Sequence, residues 1–364
     1  MSSLRPRPGI LEIAPYVGGE SAVAGTRPAV KLSSNESAIG ASPKAMAAYT
    51  AGATSLFRYP DGSAEALRQA IARHHGLDAA RIVCGAGSDE LLTLLVRAYA
   101  GPGDEVLYSR HGFLMYPLTA LSVGAVPVAA AEKNYTADID ALLASVTSRT
   151  RIVMVANPNN PTGSYLGRDE MLRLRRGLRS DILLVIDAAY AEYVSRNDYS
   201  AGVDLVAAFD NVVMTRTFSK IYALSGLRLG WCYGPPDVID VLNRLRGPFN
   251  VSTPAQQAGI AALDDQEFLS KARAHNDRWL PWLIERYRDL GLVVLPSVAN
   301  FVLVGFGTAE RASRAAAALK AEAILVRAMA AYGLPEFLRI TVGLDTENEA
   351  VIRVLGAFVA VDRL

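Results

Sequence analysis

Short apolar runs alternate with amphipathic stretches over the first two-thirds of the chain. Residues 81–84, 105–108, 126–128, 152–155, 182–187 and 212–217 read as strands. Between them apolar positions return at helical spacing, predicting helices over 63–76 (Ser63 as N-cap, Leu67, Ala70 and Ile71 inward), 91–100, 113–123, 139–146 and 168–177. The strands are apolar throughout and do not alternate, which is the pattern of a mainly parallel sheet covered by helices on both faces. From about residue 250 the rhythm changes. Two long helical stretches (254–263, 265–290) lead into short strands at 292–295, 301–304, 324–327 and 338–342, with helices at 309–319 and 345–359. The expected class is α/β. Residues 46–250 form a large domain, residues 251–364 a smaller α+β domain, and residues 1–45 an arm that joins the smaller one.

Composition narrows the function classes. A chain of 364 residues with net charge +1 and 20% charged residues is neither a polybasic nucleic-acid binder nor an acidic disordered tail. No window approaches the roughly 18–20 unbroken apolar residues of a membrane span, and the N-terminus carries no apolar core of a secretory signal. Cys84 and Cys232 lie in apolar runs, as reduced buried thiols would. The four histidines lack metal-ligand spacing. The expectation is a cytoplasmic enzyme without metal, disulfide, membrane or nucleic-acid partner.

Ligands of an open parallel sheet bind beyond the carboxyl ends of its strands, and four such ends are unusual here. Gly85-Ala86-Gly87-Ser88-Asp89-Glu90 opens a helix; it lacks the third glycine of a dinucleotide fingerprint and the lysine of a Walker loop, yet it suits a phosphate. Asn157-Pro158-Asn159-Asn160-Pro161-Thr162-Gly163 is a constrained turn presenting amides. Asp187 ends an apolar strand, three residues before Tyr190. Met214 to Gly230 offers Thr217, Ser219 and Arg228 around Lys220, in a chain with six lysines and 31 arginines. Only the lysine can lose its proton when desolvated and form a Schiff base. A phosphate, a ring nitrogen wanting a carboxylate, a ring hydroxyl and an aldehyde for lysine together describe pyridoxal 5′-phosphate.

Asn160-Pro161-Thr162-Gly163, Asp187-Ala188-Ala189-Tyr190, and Ser219-Lys220 with Arg228 resemble the motifs of fold type I pyridoxal-phosphate aminotransferases. From Ala14-Pro15-Tyr16 to Leu338-Arg339-Ile340-Thr341-Val342-Gly343 the whole chain is similar to the histidinol-phosphate aminotransferase family. The resemblance implies a role for each matching residue. Lys220 bonds the cofactor aldehyde and then shuttles a proton; Asp187 keeps the ring nitrogen protonated; Tyr190 and Asn160 bond the ring oxygen. Gly87, Ser88, Asp89, Thr217, Ser219 and Arg228 hold the phosphate. Phe113 stacks on the ring, where many relatives carry tyrosine. Tyr59 reaches the cofactor of a second subunit, which implies a homodimer. Arg339 grips a substrate carboxylate, and Tyr16, Asn35 and Arg327 meet the rest of the substrate. The implied reaction moves an amino group between L-histidinol phosphate and 2-oxoglutarate, in histidine biosynthesis. An aromatic amino acid (phenylalanine or tyrosine) aminotransferase is the nearest alternative, followed by a phosphothreonine-type decarboxylase. A non-catalytic regulator is disfavoured by the complete Lys220, Asp187, Tyr190 set.

Overall fold

The computed structural model describes residues 6–22 and 29–362. Seven strands form the large sheet, in spatial order Ile82–Gly85, Gly230–Tyr233, Val212–Thr217, Leu183–Asp187, Thr150–Ala156, Glu105–Ser109 and Val126–Ala130. Six run parallel; Gly230–Tyr233 runs against both of its neighbours. Successive side chains of a strand point to opposite faces, and the apolar packing follows that rule. Val153, Val155, Leu184, Ile186, Val212 and Met214 feed the apolar cluster on one face. Ile152, Met154, Leu183, Val185 and Val213 feed the cluster on the other. Both faces of the central strands are therefore dry, which is why 152–155, 183–186 and 212–214 are apolar without interruption, whereas Val126 on the edge strand is exposed. The polar strand ends gather along one edge.

The second sheet is antiparallel, in the order Val293–Val294, Phe301–Gly305, Phe337–Thr341, Arg327–Ala328. It packs on helices Gln266–Asp289, Ala309–Ala321 and Asp345–Asp362 around Trp279, Leu283, Tyr287, Val302, Leu338 and Leu355. The run 324–327, expected as one strand, is divided. Ile324–Leu325 pairs in parallel with Val30–Lys31, and Arg327–Ala328 turns away to pair with Phe337–Thr341.

Helix Thr253–Asp264 packs on helices Pro43–Gly52 and Glu65–His75, and its Ala255, Ala258 and Ala262 lie in the first cluster of the large sheet. Packing thus carries the large unit beyond residue 250. The long helix Gln266–Asp289 bridges the two cores, giving Leu269 and Ala272 to the first and Trp279 and Leu283 to the second. The cap of the helix after the Tyr59 turn also differs from expectation. Asp61 accepts from the backbone N–H of Ser63 and Glu65 at 2.9 and 2.8 Å, and from the Ser63 hydroxyl at 2.7 Å. An ionised carboxylate caps better than a hydroxyl because it also meets the helix dipole, and these bonds hold the Asp61 carboxyl below its ordinary range.

A nearly buried ion pair ties two site segments together. Arg216 Nη1 donates to Glu192 Oε1 at 3.1 Å, and Arg273 of the bridging helix donates to the Glu192 carbonyl at 2.9 Å. Removing one partner of such a pair strands a charge in a dry place, whereas removing both does not. Arg216→Met should lower the free energy of urea unfolding by about 3–5 kcal/mol. Adding Glu192→Gln should recover most of that loss in the same measurement.

Candidate active site

The strand ends open into a cavity of about 290 Å³. Every site residue expected from the sequence lines it except Gly87 and Tyr59. Asp187 stands at its floor, buried at the end of Leu183–Asp187 and in register with Thr215 of the next strand. Its Oδ2 accepts from the Tyr116 hydroxyl at 3.0 Å and its Oδ1 from Thr215 Oγ1 at 3.4 Å. No basic side chain among the described residues pairs with it. Burial pushes its carboxyl up to about 6, with the Tyr116 bond opposing and the charge of Asp89 adding to the rise.

Lys220 is half-buried just after Val212–Thr217. Its Nζ donates to the Ser34 carbonyl at 3.3 Å and lies 5.5 Å from the Tyr190 ring centroid. Burial, and then the positive charge of Arg339, bring the amine down to about 8. A neutral carbonyl is the only hydrogen-bond partner it has among the described residues. Near neutrality a share of the amine is thus unprotonated and nucleophilic. Tyr190 is buried beside it, and its hydroxyl accepts from Asn35 Nδ2 at 2.9 Å.

One wall is built to receive an anion. Helix Ser88–Tyr99 starts at the cavity, presenting unpaired backbone N–H groups. Gly87 precedes it at φ +87°, a left-handed value that favours glycine. Gly230 lets the helix approach: a Cβ there would meet the Ser88 nitrogen at 2.4 Å. Thr217 Oγ1 and Ser219 Oγ are 2.9 Å apart, Arg228 Nη1 reaches Ser219 Oγ at 3.3 Å, and Arg228 Nη2 reaches Asp89 Oδ2 at 3.1 Å. Phe113 lies over the cavity, packed edge-on against Tyr116 with centroids 6.0 Å apart.

The opposite wall comes from the second sheet and the arm. Arg339 is buried; its Nη1 bonds the Asn160 side-chain oxygen, its Nη2 bonds the Ser33 carbonyl at 2.8 Å, and its Nε has no partner among the described residues. Arg327 lies over the Tyr16 ring at 5.9 Å and donates to the Val17 carbonyl at 2.6 Å. Tyr59 is elsewhere, 82% exposed and stacked on Phe249 at 4.7 Å. Sequence reasoning missed Tyr116, Thr215 and the carbonyls of Ser33 and Ser34. Tyr116 follows Phe113 by three residues at the entry to helix Met115–Ser122, where its backbone N–H donates to the Phe113 carbonyl at 2.9 Å. The two carbonyls carry no side-chain signal.

Residues 27–355 match the family model for class I and II aminotransferases. The chain is 60% identical over 361 residues to a histidinol-phosphate aminotransferase of Paramagnetospirillum magneticum, covering 99% of each protein. It is 59% identical to that of Rhodospirillum centenum over 98% of this chain and 99% of the relative. The crystal structure of histidinol-phosphate aminotransferase from Sinorhizobium meliloti, in complex with pyridoxal 5′-phosphate, superposes with a TM-score of 0.89 at 28% identity, over 99% of this chain and 98% of that one.

The residues present fit that cofactor. The glycine-lined helix start with Thr217, Ser219 and Arg228 would seat a phosphate, Asp187 is an acid lacking a cation among the described residues, and Lys220 is an amine held below its ordinary range. Asp187 also carries a cost for the cofactor-free protein. Its folded pKa exceeds the unfolded value, so the folded state binds more protons between about pH 4 and 6 and loses stability as pH rises through that window. Asp187→Asn should therefore melt at a higher temperature than the parent apoprotein at pH 8, and the gap should close below about pH 4. A gap that is flat across this range in calorimetry would contradict the buried, unpaired acid.

Proposed function

From a chain that belongs to the class I and II aminotransferases, and within them to the histidinol-phosphate aminotransferases, we infer an enzyme that transfers the amino group of L-histidinol phosphate to 2-oxoglutarate. The products are imidazole acetol phosphate and L-glutamate, and the place is histidine biosynthesis. The cofactor is pyridoxal 5′-phosphate, and the fold is that of the fold type I enzymes. The observation that carries the reading is the meeting in one cavity of a lysine amine held low and a carboxylate held high, beside an anion seat.

The bound cofactor supplies an electron sink for negative charge at the substrate's amino-bearing carbon. Lys220 takes the proton from that carbon and returns one, and an amine near pH 8 is matched to exchange at working pH. Asp187 holds a proton on the ring nitrogen, with Tyr116 and Thr215 fixing its carboxylate. The Tyr190 hydroxyl and the Asn160 amide serve the ring oxygen. The helix start at Gly87, Ser88 and Asp89 holds the phosphate with Thr217, Ser219 and Arg228, and Phe113 covers one face of the ring. Arg339 takes the glutamate carboxylate. Arg339, Arg327 and Tyr16 take the histidinol phosphate anion, while Asn35 orients Tyr190. One basic wall thus serves both halves of the cycle, since each substrate brings an anion to it.

The active unit in this reading is a homodimer in the cytoplasm. Leu56, Phe57 and Tyr59 are 69%, 78% and 82% exposed, and half-exposed Phe249 lies against Tyr59. A cluster of large exposed apolar side chains marks a contact surface. Tyr59, outside its own cavity, is placed to serve the cofactor phosphate of the partner. Among the described residues, no helix is long and apolar enough to cross a membrane.

Lys220→Ala should cost roughly 10²-fold or more in kcat, and borohydride should no longer attach the cofactor to the protein. Comparing kcat/KM for histidinol phosphate, phenylalanine and tyrosine should place histidinol phosphate first; equal or better use of the aromatics would replace the substrate named here. Mixed dimers of Tyr59→Phe with Lys220→Ala should contain one intact site each and recover activity absent from the Lys220→Ala homodimer. Cofactor affinity in Tyr59→Phe that equals the parent's would argue against a contribution across the interface.

A further inference from the structure

Three carboxylates line the cavity, and two are already engaged. Asp187 is held by Tyr116 and Thr215, and Asp89 by Arg228. Glu36 is the third. Its Oε1 accepts from Lys31 Nζ at 2.8 Å, whereas Oε2 takes no hydrogen bond among the described residues. The backbone beneath it is fixed, because Asn300 Nδ2 donates to the carbonyls of Asn35 and Glu36 at 3.1 and 3.2 Å. Both members of the Lys31–Glu36 pair are half-buried, and both line the cavity. The charged side chains that the arm and the second sheet add to the lining beside it are donors: Arg327, Arg339 and Lys31. A substrate N–H reaching this side of the cavity therefore finds one side-chain oxygen that is charged, pinned in place and still open.

We propose that Glu36 is the specificity-determining residue of this site, accepting a hydrogen bond from the ring N–H of an imidazole and so favouring it over a phenyl ring. The inference rests on the amino-donor reading above and names the group that reads the donor's side chain. The imidazole ring carries an N–H that a phenyl ring lacks, and a phenyl ring placed here would cover the carboxylate without satisfying it. A site built to bond a substrate N–H rejects the analogue that lacks one. Lys31 is the positioning residue, keeping the carboxylate toward the cavity.

The test uses the holoenzyme and two acids of matched shape, 3-(imidazol-4-yl)propionate and 3-phenylpropionate, together with kcat/KM for histidinol phosphate and phenylalanine. The parent protein should bind the imidazole acid more tightly. Glu36→Ala should reduce the imidazole-to-phenyl ratio roughly 10- to 100-fold in both binding and kcat/KM, the range of one lost charge-assisted hydrogen bond. Glu36→Asp, which keeps the charge on a shorter arm, should lose less. Lys31→Met, which frees the carboxylate without removing it, should lower the same ratio by a smaller factor. A Glu36→Ala protein that keeps its cofactor absorbance and the parent ratio overturns the proposal, as does a Glu36→Asp protein that loses as much as Glu36→Ala. Failure of the parent to turn over histidinol phosphate while it still prefers the imidazole acid would overturn the named substrate and leave Glu36 supported.

Discussion

A carboxylate buried at the end of a strand, with hydroxyl donors and no cation, is the constraint around which the rest is arranged. Asp187 owes its position to a sheet dry on both faces, and its raised pKa to that dryness. Lys220 faces the complementary problem, since an amine with a carbonyl for a partner loses much of its hold on a proton. Each group is kept off its ordinary ionisation by the same cause, removal from water. A ligand bringing a protonatable ring nitrogen to one and an electrophilic carbon to the other relieves both at once. Strain of this kind, stored in a folded site, is how an enzyme gives up stability for readiness.

Much of this was legible in the sequence, and the reason is physical. Strands buried on both faces must be apolar throughout, so a polar residue at their ends stands out. Asp187, Asn160 and Lys220 each announce themselves this way. What stayed hidden acts through atoms or contacts that residue type does not report. Tyr116 reads as one more aromatic on an apolar helix, although its hydroxyl is the closest donor to Asp187. Ser33 and Ser34 contribute carbonyls, which every residue has. The run 324–327 looks like one strand because Ile324, Leu325 and Val326 are continuously apolar up to Arg327; only the pairing of Val30–Lys31 reveals the break. The helix 253–264 follows a change in rhythm at residue 250 yet packs with the earlier elements, since its alanines fit closely against helices 43–52 and 65–75.

The two walls of the cavity have different origins and do different work. The large sheet supplies a wall of short, fixed groups: a helix start, two hydroxyls and a guanidinium at Arg228. The second sheet and the arm supply a wall of long basic side chains with Glu36 among them, suited to substrates that exchange in every cycle. Arg339 joins the walls, bonding Asn160 on one side and Ser33 on the other.

Asn35 and Thr341, 306 positions apart, bond each other twice within the second wall, and Asn35 also donates to Tyr190 of the first at 2.9 Å. During synthesis, then, the ribosome completes the large sheet at Tyr233 before it makes Arg327, Arg339 or Thr341, so the second wall can be assembled only when the chain is nearly finished.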